Sequence, residues 1–303
     1  MRLTHTNRLV WLITTIRKAG KITFAELNDK WRDNEDMSEG KELSHRTFFK
    51  WKDDCMTRFN VDIVNENCGE YRYYLRNAGK LTNGSVEKWL FDTNAVSNQL
   101  IENQSVSDRI ILEDIPSGQA YLQDIIDAMK ENHLIHITYY NYWRGDERQH
   151  YVMPLCVKLF RQRWYLIAKQ WQAGYITTYC LDRIVDFRMG SHTFEYPKDF
   201  SPKKFFKNLF GVIAEEGTPP TIKLKVTAGQ ANYIRDLPLH PSQEEIERGD
   251  EYSIFTLKVH PTFDLEQEIL WNGEDIEVLE PLELRNRMTD RIELMYNKYK
   301  EDK

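Results

Sequence analysis

The sequence lacks long apolar runs and is poor in cysteine, which narrows the classes of protein it can encode. No run approaches the ~18 apolar residues of a membrane-spanning helix, so we expect no membrane segment. Met1–His5 leads into a polar-faced helix rather than an apolar signal segment, which predicts a cytoplasmic protein. The cysteines form no CxxC pair, which favours reduced thiols over disulfides. They are Cys55, Cys68, Cys156 and Cys180.

Sequence signatures of catalysis and of phosphate binding are also missing. The chain contains no GxGxxG, GxxxxGK or GxSxG motif. His133 and His136 form an HxxH pair without a nearby glutamate or a third ligand, so we interpret them as a helix-to-strand junction. We therefore predict a protein that is not an enzyme and that has no cofactor and no metal site.

The charge of the chain is unevenly distributed. Its 303 residues, enough for two or three domains, have a net charge of -6. Residues 1–80 hold 15 basic against 12 acidic residues, a net charge of +3, and the remainder holds 26 against 35, a net charge of -9. A basic end on an acidic body is expected when one domain binds nucleic acid and the rest does not.

The first 78 residues predict three helices followed by a β-hairpin. The apolar spacing of Leu9 to Ile16 predicts the first helix, which stops near Gly20. The second begins at Thr23 with the capping-box spacing to Glu26, and the third begins at Ser44 after a charged loop. The strands Val61–Val64 and Tyr71–Leu75 follow. This order is that of a winged helix-turn-helix.

The third helix of this layout carries candidate DNA-binding residues. Short polar and cationic side chains at the start of a helix reach base edges and phosphates in the major groove. We predict that this helix and the wing bind double-stranded DNA through six residues. They are Ser44, His45, Arg46, Thr47, Lys50 and Arg72.

The middle of the chain predicts a small β-barrel between helical segments. A helix is expected over Ser85–Gln104 and another over Leu122–Met129. Closely spaced strand-like runs then predict a closed, SH3/Sm-like barrel. They are Ile135–Tyr140, Tyr151–Phe160, Trp164–Gln170, Tyr175–Leu181 and Ile184–Arg188.

The last third changes to a β-α-β-β-α-β order with a final helix. Strands are expected at Ile222–Val226, near Glu244, at Phe255–Val259 and at Ile276–Leu279. Helices are expected at 229–237, at 263–271 and at the C-terminus. This order is typical of a ferredoxin-like domain.

Two short motifs give the chain a family resemblance. Trp164-Tyr165-Leu166 and Leu181-Asp182-Arg183-Ile184, spaced as in that family, resemble the WYL domain of bacterial transcriptional regulators. The resemblance implies a set of ligand-facing positions. From their residue types we expect Trp164 and Leu166 to pack in the core, and Asp182 with Arg183 to form either an internal ion pair or part of the ligand site. The implied effector-binding residues are Tyr139, His150, Arg163, Tyr165 and Arg183, with Lys158 and Arg161 nearby.

One departure from the family bears on the ligand. Many members carry arginines just before the Leu-Asp-Arg-Ile motif, whereas this chain has Thr177, Thr178 and Cys180 there. We therefore expect a less cationic pocket than in those members. Residues 217–303 resemble, more loosely, the C-terminal extension called WCX that follows WYL domains.

Together these patterns predict an α+β multidomain protein. The predicted segments are a winged helix-turn-helix over 1–78, a helical linker over 79–117, a WYL domain over 118–196, a linker over 197–216 and a WCX-like domain over 217–303. The resemblance implies a transcriptional regulator that binds a DNA operator and senses a single-stranded nucleic acid or a nucleotide-like effector. We also predict a homodimer, because a single winged helix makes few base contacts, and the candidate interfaces are Ser85–Gln104 and the C-terminal helix. The alternative is a non-catalytic accessory or regulatory subunit of a nucleic-acid-processing or defence system.

Overall fold

The chain divides into two compact units, Met1–Glu113 and Asp114–Lys303. The computed structural model describes residues 5–66, 69–76, 88, 91–93, 96, 109 and 120–300. The helix predicted over Ser85–Gln104 and most of the linker over 79–117 lie outside the described residues, although 88, 91–93 and 96 are helical. The architecture is α+β, with antiparallel sheets and a helical N-terminal region.

Residues 5–76 of the first unit contain four helices and a hairpin in their described part. The elements are α1 (His5–Ala19), α2 (Phe24–Asp33), α3 (Glu35–Ser38), α4 (His45–Phe59), β1 (Ile63–Asn65) and β2 (Tyr73–Leu75). The sequence predicted a loop where α3 lies, and that interpretation was wrong. Asn34 caps this short helix by accepting a hydrogen bond from the Met37 amide at 3.2 Å, and Met37 is buried.

Two of the longer helices of this unit, α2 and α4, begin at N-cap residues that the sequence predicts. Thr23 and Glu26 form the capping box at the start of α2. The Ser44 side chain accepts a hydrogen bond from the Thr47 amide at the start of α4. The buried face of α1 packs against the buried faces of the other helices and against Tyr73 of β2 in one hydrophobic core.

The second unit begins with a helix and a five-stranded antiparallel sheet. The helix is α5 (Leu122–Glu131). The strands are β3 (His133–Asn141), β4 (Asp146–Phe160), β5 (Arg163–Gln170), β6 (Ile176–Cys180) and β7 (Ile184–Thr193), in the spatial order β6-β5-β4-β3-β7. The sequence predicts that these strands close into a barrel. In the described chain no hydrogen-bonded ladder joins β6 to β7, and these two strands are connected only by the 3₁₀ turn Leu181–Arg183.

One face of this sheet buries a core beneath α5. Ile125 of α5 packs against Ile135, Val152 and Leu166, all fully buried. Trp164 is half-buried at the edge of the same cluster. Because side chains alternate along a strand, the neighbouring positions face the opposite side of the sheet, where the connection to the last domain runs.

The C-terminal part of the unit is a four-stranded antiparallel sheet with helices. Its strands are β8 (Thr221–Thr227), β9 (Glu244–Arg248), β10 (Tyr252–Lys258) and β11 (Ile276–Glu280), in the order β11-β8-β10-β9. Its helices are α7 (Ala228–Asp236), α8 (Phe263–Trp271) and α9 (Leu282–Lys300). The element order is β-α-β-β-α-β, with a strand at Glu244.

A connecting segment with one short helix, α6 (Pro202–Phe206), joins the two sheets of this unit. Its end is tied to the C-terminal part, because the Asn208 carbonyl accepts a hydrogen bond from the His260 amide at 2.9 Å. Phe210 packs against the C-terminal core. None of the helices in the described ranges is both long enough and apolar enough to span a bilayer.

Candidate functional site

The exposed side of α4 presents two cationic side chains one turn apart. Arg46 and Lys50 are both exposed, and neither makes an ion pair within the described part of the chain. Phe49, between them, is 47% exposed, and the Lys52 ammonium lies 6.0 Å from the centre of its ring. This surface offers positive charge beside an apolar face.

The other predicted DNA-binding residues already have partners within the unit. The hydroxyls of Ser44 and Thr47 form a hydrogen bond at 2.8 Å, and the Ser44 hydroxyl also caps the helix. The His45 ring stacks on Phe24, with ring centroids 3.8 Å apart. Arg72 in the hairpin donates to Glu70 at 2.7 Å. Arg46 and Lys50 are therefore the two predicted residues whose charges make no ion pair with any described residue.

In the second unit, two cavities flank the end of the edge strand β6. Across β5 and β6, Tyr165 pairs with Cys180 and Leu166 pairs with Tyr179. Tyr179 therefore faces the core side of the sheet, whereas Tyr165 and Cys180 face the opposite side. The cavities share six lining residues. They are Tyr139, Trp143, Tyr175, Thr177, Thr178 and Arg183.

The cavity on the core side, which we call the arginine cavity, has a volume of about 540 Å³. Arg144, Arg148 and Arg183 line it, and Arg148 also pairs with Asp146 at 2.9 Å. The Arg183 guanidinium lies 4.3 Å from the centre of the Tyr142 ring. Three guanidinium groups around one cavity favour an anionic ligand.

Two of these arginine cavity residues depend on the turn that joins β3 to β4. Asn141 accepts hydrogen bonds at its side-chain oxygen from the Trp143 and Arg144 amides, at 2.9 and 3.2 Å. Gly145 closes the turn at a φ of 68°, where a residue without Cβ is favoured. The turn leaves Trp143 95% exposed, which makes it available for stacking.

His150 adds no permanent charge to the arginine cavity. Burial, and then the charge of Arg148, lower the pKa of its imidazole below the ordinary value. The ring also contacts the Gln170 amide at 3.1 Å. At neutral pH this residue is a hydrogen-bonding group rather than a cation.

The second cavity, which we call the connector cavity, has a volume of about 530 Å³. One side consists of Tyr165, Cys180 and the exposed side of β6. The other side consists of the connecting segment 212–214 and the first turn of α8, including Asp264. The walls of this cavity therefore come from both parts of the second unit.

Two predicted tyrosines line the connector cavity as protonated phenols. Burial raises the pKa of Tyr165 to about 12 and also raises the pKa of Tyr139. The Tyr139 hydroxyl accepts a hydrogen bond from the Cys180 amide at 3.2 Å. Both phenols are neutral at physiological pH and offer flat, partly apolar surfaces with one hydroxyl each.

Three of the predicted effector-binding cations line neither cavity. The Lys158 ammonium donates to the Gly211 carbonyl at 2.6 Å, and its burial lowers its pKa to about 8. Arg161 pairs with Glu268 of α8. Arg163 pairs with Asp182 at 3.5 Å. The structure thus places Tyr139, His150, Tyr165 and Arg183 at the cavities. Lys158, Arg161 and Arg163 instead make hydrogen bonds or ion pairs within the chain.

Several cavity residues were not predicted from the sequence. The Tyr142-Trp143-Arg144-Gly145 segment carried a recognisable signal, since two aromatics and an arginine are unusual in a tight turn. Asp264 carried none, because an acidic residue in the first turn of a helix is common. Its position in the connector cavity depends on the packing of two distant segments.

The histidines that form HxxH lie at the predicted helix-to-strand junction, because α5 ends at Glu131 and His133 and His136 belong to the start of β3. His133 lies 3.3 Å from Glu131, and the His136 ring contacts Tyr151. Adjacent strand positions point to opposite faces, and positions three apart do as well, so these two side chains do not converge. Within the described ranges, no cluster of three or more metal-ligating side chains occurs.

Two family models match the chain. The WYL domain matches residues 120–189, and the WCX domain matches residues 218–296. No curated protein matches the chain.

Two solved structures are similar to the chain at low identity. Proteasome accessory factor B/C (PafBC) of Arthrobacter aurescens is 18% identical with a TM-score of 0.39, over 95% of this chain and 46% of that chain. A CRISPR Cas-related protein is 12% identical with a TM-score of 0.42, over 100% of this chain and 89% of that chain. The chain thus spans less than half of the length of the PafBC chain.

Proposed function

Since the chain carries a WYL domain followed by a WCX domain, we propose that it is a DNA-binding transcriptional regulator whose WYL domain binds a nucleic-acid or nucleotide-like effector. In this proposal the protein senses a ligand and alters operator binding, and it catalyses no reaction. The free cations on α4 and the cavities beside β6 support the two halves of the proposal separately.

In this proposal each part has a known type of fold. Helices α2 and α4 with the β1–β2 hairpin form a winged helix-turn-helix over residues 1–78. The five strands in the order β6-β5-β4-β3-β7 form an SH3/Sm-like barrel over residues 118–196. The four strands in the order β11-β8-β10-β9, with α7 and α8, form a ferredoxin-like domain over residues 217–303.

The proposal of DNA binding depends on Arg46 and Lys50. An exposed helix face with two unpaired cations near its N-terminal half can enter the major groove and bind phosphates or guanine edges. The net charge of +3 in residues 1–80 favours the same surface. Ser44 caps this helix and so supports its start.

Fluorescence anisotropy on a DNA duplex selected from a random library tests this half. Arg46→Ala and Lys50→Ala should each weaken binding, and the loss of one phosphate contact should lower the salt slope by about one. Lys198→Ala is the control, because this lysine is 90% exposed and lies in the second unit. Unchanged affinity in both α4 variants would exclude α4 as the reading helix.

The proposal of a nucleotide-like effector depends on three arginines and several aromatic side chains in one cleft. Guanidinium groups bind phosphate oxygens in pairs, and aromatic rings stack on bases for about 1–3 kcal/mol each. Arg183 lines both cavities, and Trp143 and Tyr175 are exposed beside it. This combination matches the chemistry of nucleotides better than that of neutral metabolites.

Binding of short fluorescent oligonucleotides and of mononucleotides to the full chain tests this half. Arg183→Ala should weaken binding about tenfold or more, because it removes a charge common to both cavities. Arg188→Ala is the matched control, since this arginine of β7 is 78% exposed and pairs with Asp186. Equal binding by the wild type and both variants would remove this cleft as the effector site.

We further propose that the protein is a homodimer. The last three turns of α9 expose Ile292, Met295 and Tyr299, which recur at spacings of three and four and form an apolar stripe. A two-fold dimer would also double the contacts with a palindromic operator. The other predicted interface, Ser85–Gln104, lies largely outside the described residues.

Sedimentation equilibrium at micromolar concentration tests the dimer. The wild type should sediment at twice the mass of the chain, and Met295→Asp should shift it to a monomer. Glu293→Ala, on a different side of the same helix, should leave the mass unchanged. A monomeric wild type with and without DNA would contradict the proposal.

A further inference from the structure

Asp264 places one carboxylate in the wall of the connector cavity. Its Oδ2 atom accepts hydrogen bonds from the amides of Val212 and Ile213, at 2.8 and 3.0 Å. The Val212 carbonyl in turn accepts a hydrogen bond from the Thr178 hydroxyl of β6 at 3.0 Å. The carboxylate is therefore held in position from the connecting segment on one side and from α8 on the other.

The second oxygen of this carboxylate is available to a ligand. Oδ1 of Asp264 makes no hydrogen bond to any part of the chain that the structure describes. The nearby Lys158 ammonium donates instead to the Gly211 carbonyl. A carboxylate oxygen only accepts hydrogen bonds, so a ligand group that meets Oδ1 must present an N–H or an O–H.

The two cavities therefore differ in the charge that they tolerate. The arginine cavity has three guanidinium groups, and no acidic side chain lines it in the described chain. The connector cavity shares Arg183 but adds Asp264. Asp264 also supplies the negative charge at the first turn of α8, which would otherwise attract an anion. The first cavity therefore favours a phosphate more strongly than the second does.

We propose that the ligand is a single nucleotide, with its phosphate in the arginine cavity and its base in the connector cavity, where Asp264 Oδ1 accepts a hydrogen bond from an N–H group of the base. The inference rests on the proposed nucleotide-like effector. It specifies the orientation of that effector in the two cavities and its size, which is one nucleotide. Tyr165, on the wall opposite Asp264, packs against the base. Asp264 is the residue that selects for a base with a donor.

The same geometry disfavours a continuous single strand. A longer strand would continue from the sugar through its 3′ oxygen, and its second phosphate would enter an acidic body with a net charge of -9 after residue 80. The connector cavity, which holds the base, is bounded by the segment 212–214 and by α8. A mononucleotide carries no such second phosphate.

Calorimetric titration of the full chain with matched pairs of ligands tests the inference. AMP is compared with purine riboside 5′-monophosphate, which lacks the amino group, and UMP with 3-methyluridine 5′-monophosphate, which lacks the ring N–H. In at least one pair, the wild type should bind the donor-bearing nucleotide about tenfold or more tightly, as expected for a hydrogen bond to a charged group.

Variants then assign this difference to Asp264. In Asp264→Asn, the amide oxygen takes over the Val212 and Ile213 amides and the NH₂ group faces the cavity, so the preference should vanish or reverse. Asp186→Asn, on an exposed aspartate of β7, should keep it. Arg144→Ala should weaken AMP but leave adenosine unchanged, whereas Asp264→Asn should weaken both ligands. Thermal unfolding checks that each variant is folded.

The outcomes separate this inference from the proposal on which it rests. Equal affinity within both ligand pairs, or an unchanged preference in Asp264→Asn, overturns the inference and leaves a nucleotide-like effector in place. Binding of oligonucleotides without binding of mononucleotides would also overturn the inference and leave a nucleotide-like effector in place. If the wild type binds neither oligonucleotides nor mononucleotides, both the inference and the effector proposal fail.

Discussion

At the scale of single residues, the second unit uses its cations in two different ways. Lys158, Arg161 and Arg163 tie backbone and carboxylate groups together, whereas Arg144 and Arg183 face the cavities. The sequence could not distinguish these two roles, because an arginine or a lysine is the same residue type in both. What decides between them is whether a buried acceptor lies within reach after folding.

Glu266 is the most deeply buried carboxylate in the C-terminal part, at 3% exposure, and it bridges Arg287 and Arg291 at 2.7 and 2.6 Å. We predict that Glu266→Gln lowers the free energy of unfolding by about 2–3 kcal/mol, because two arginines lose their counter-charge. Their partial exposure keeps this loss below that of a fully buried pair. Urea unfolding followed by circular dichroism measures it.

Glu283→Gln is the matched control for this change. Glu283 bonds the same Arg287 at 3.1 Å but is 84% exposed, so its loss should cost less than about 0.5 kcal/mol. Equal losses in the two variants would show that burial of Glu266 contributes nothing to the strength of this bridge.

Gly211 lies so close to Asp264 that a side chain would displace the carboxylate. A Cβ atom at this position would be 2.2 Å from Asp264 Oδ2. We predict that Gly211→Ala lowers the free energy of unfolding by about 2 kcal/mol and weakens ligand binding in the connector cavity, because Val212 and Ile213 lose their acceptor. Thermal unfolding and ligand titration measure the two effects.

Gly229→Ala provides the comparison for Gly211→Ala. A Cβ atom at Gly229 in α7 meets nothing within 4 Å, and alanine favours a helix by up to about 1 kcal/mol over glycine. This variant should be as stable as the wild type or slightly more stable. A Gly211→Ala protein that behaves in the same way would contradict the role of the contact with Asp264.

At the scale of elements, the edge strand β9 is held to α7 by one ion pair. Arg235 donates to both oxygens of Glu245, at 2.8 and 2.7 Å, and these hydrogen bonds hold the pKa of Glu245 at about 2, below its usual 4.5. A lowered pKa in the folded state means that this stabilisation is present above pH 4.5. It is lost as the pH falls from 4.5 towards 2.

We therefore predict a pH-dependent difference between the wild type and Glu245→Gln. The difference in urea midpoint should be largest near pH 6 and should shrink as the pH falls to 2, because the wild-type carboxylate becomes protonated. Glu244→Gln, on the same strand and without an ion pair in the described chain, is the control and should show little such trend. A constant difference for Glu245→Gln would refute the assignment.

Elements with a local signal were predictable, and those that depend on distant partners were not. The capping box at Thr23 and the alternation in β8 are visible in the sequence, and the structure contains both. Helix α3 was missed because its anchor, Met37, is stabilised by burial in a core that the local sequence does not reveal. The turn at Arg161 and Gln162, both at positive φ, also lacks the usual Asn-Gly signal.

At the scale of the whole molecule, the sequence predicts three domains and two linkers, whereas the structure groups the chain into two compact units. The connecting segment is the physical reason. Lys158 and Thr178 hold it from the five-stranded sheet, and Asp264 holds it from α8. A segment bound on both sides joins two cores into one unit.

We predict that truncation of buried leucines separates the unfolding of the two units. Leu12, Leu166 and Leu224 are fully buried in three different cores, and each change to alanine should cost about 2–5 kcal/mol. In calorimetry, Leu12→Ala should lower one transition, whereas Leu166→Ala and Leu224→Ala should both lower the other. Separate transitions for the last two variants would show that the connecting segment does not couple their cores.

The sequence by itself determined the class of the chain, the starts of its main helices and the resemblance to the two domains whose models match residues 120–189 and 218–296. These features depend on neighbouring residues, such as Thr23 with Glu26 or Trp164 with Tyr165. Only the tertiary structure decided which cations remain free and that Asp264 enters a cavity beside β6. Those outcomes depend on contacts between residues as far apart as Lys158 and Gly211, which no local pattern encodes.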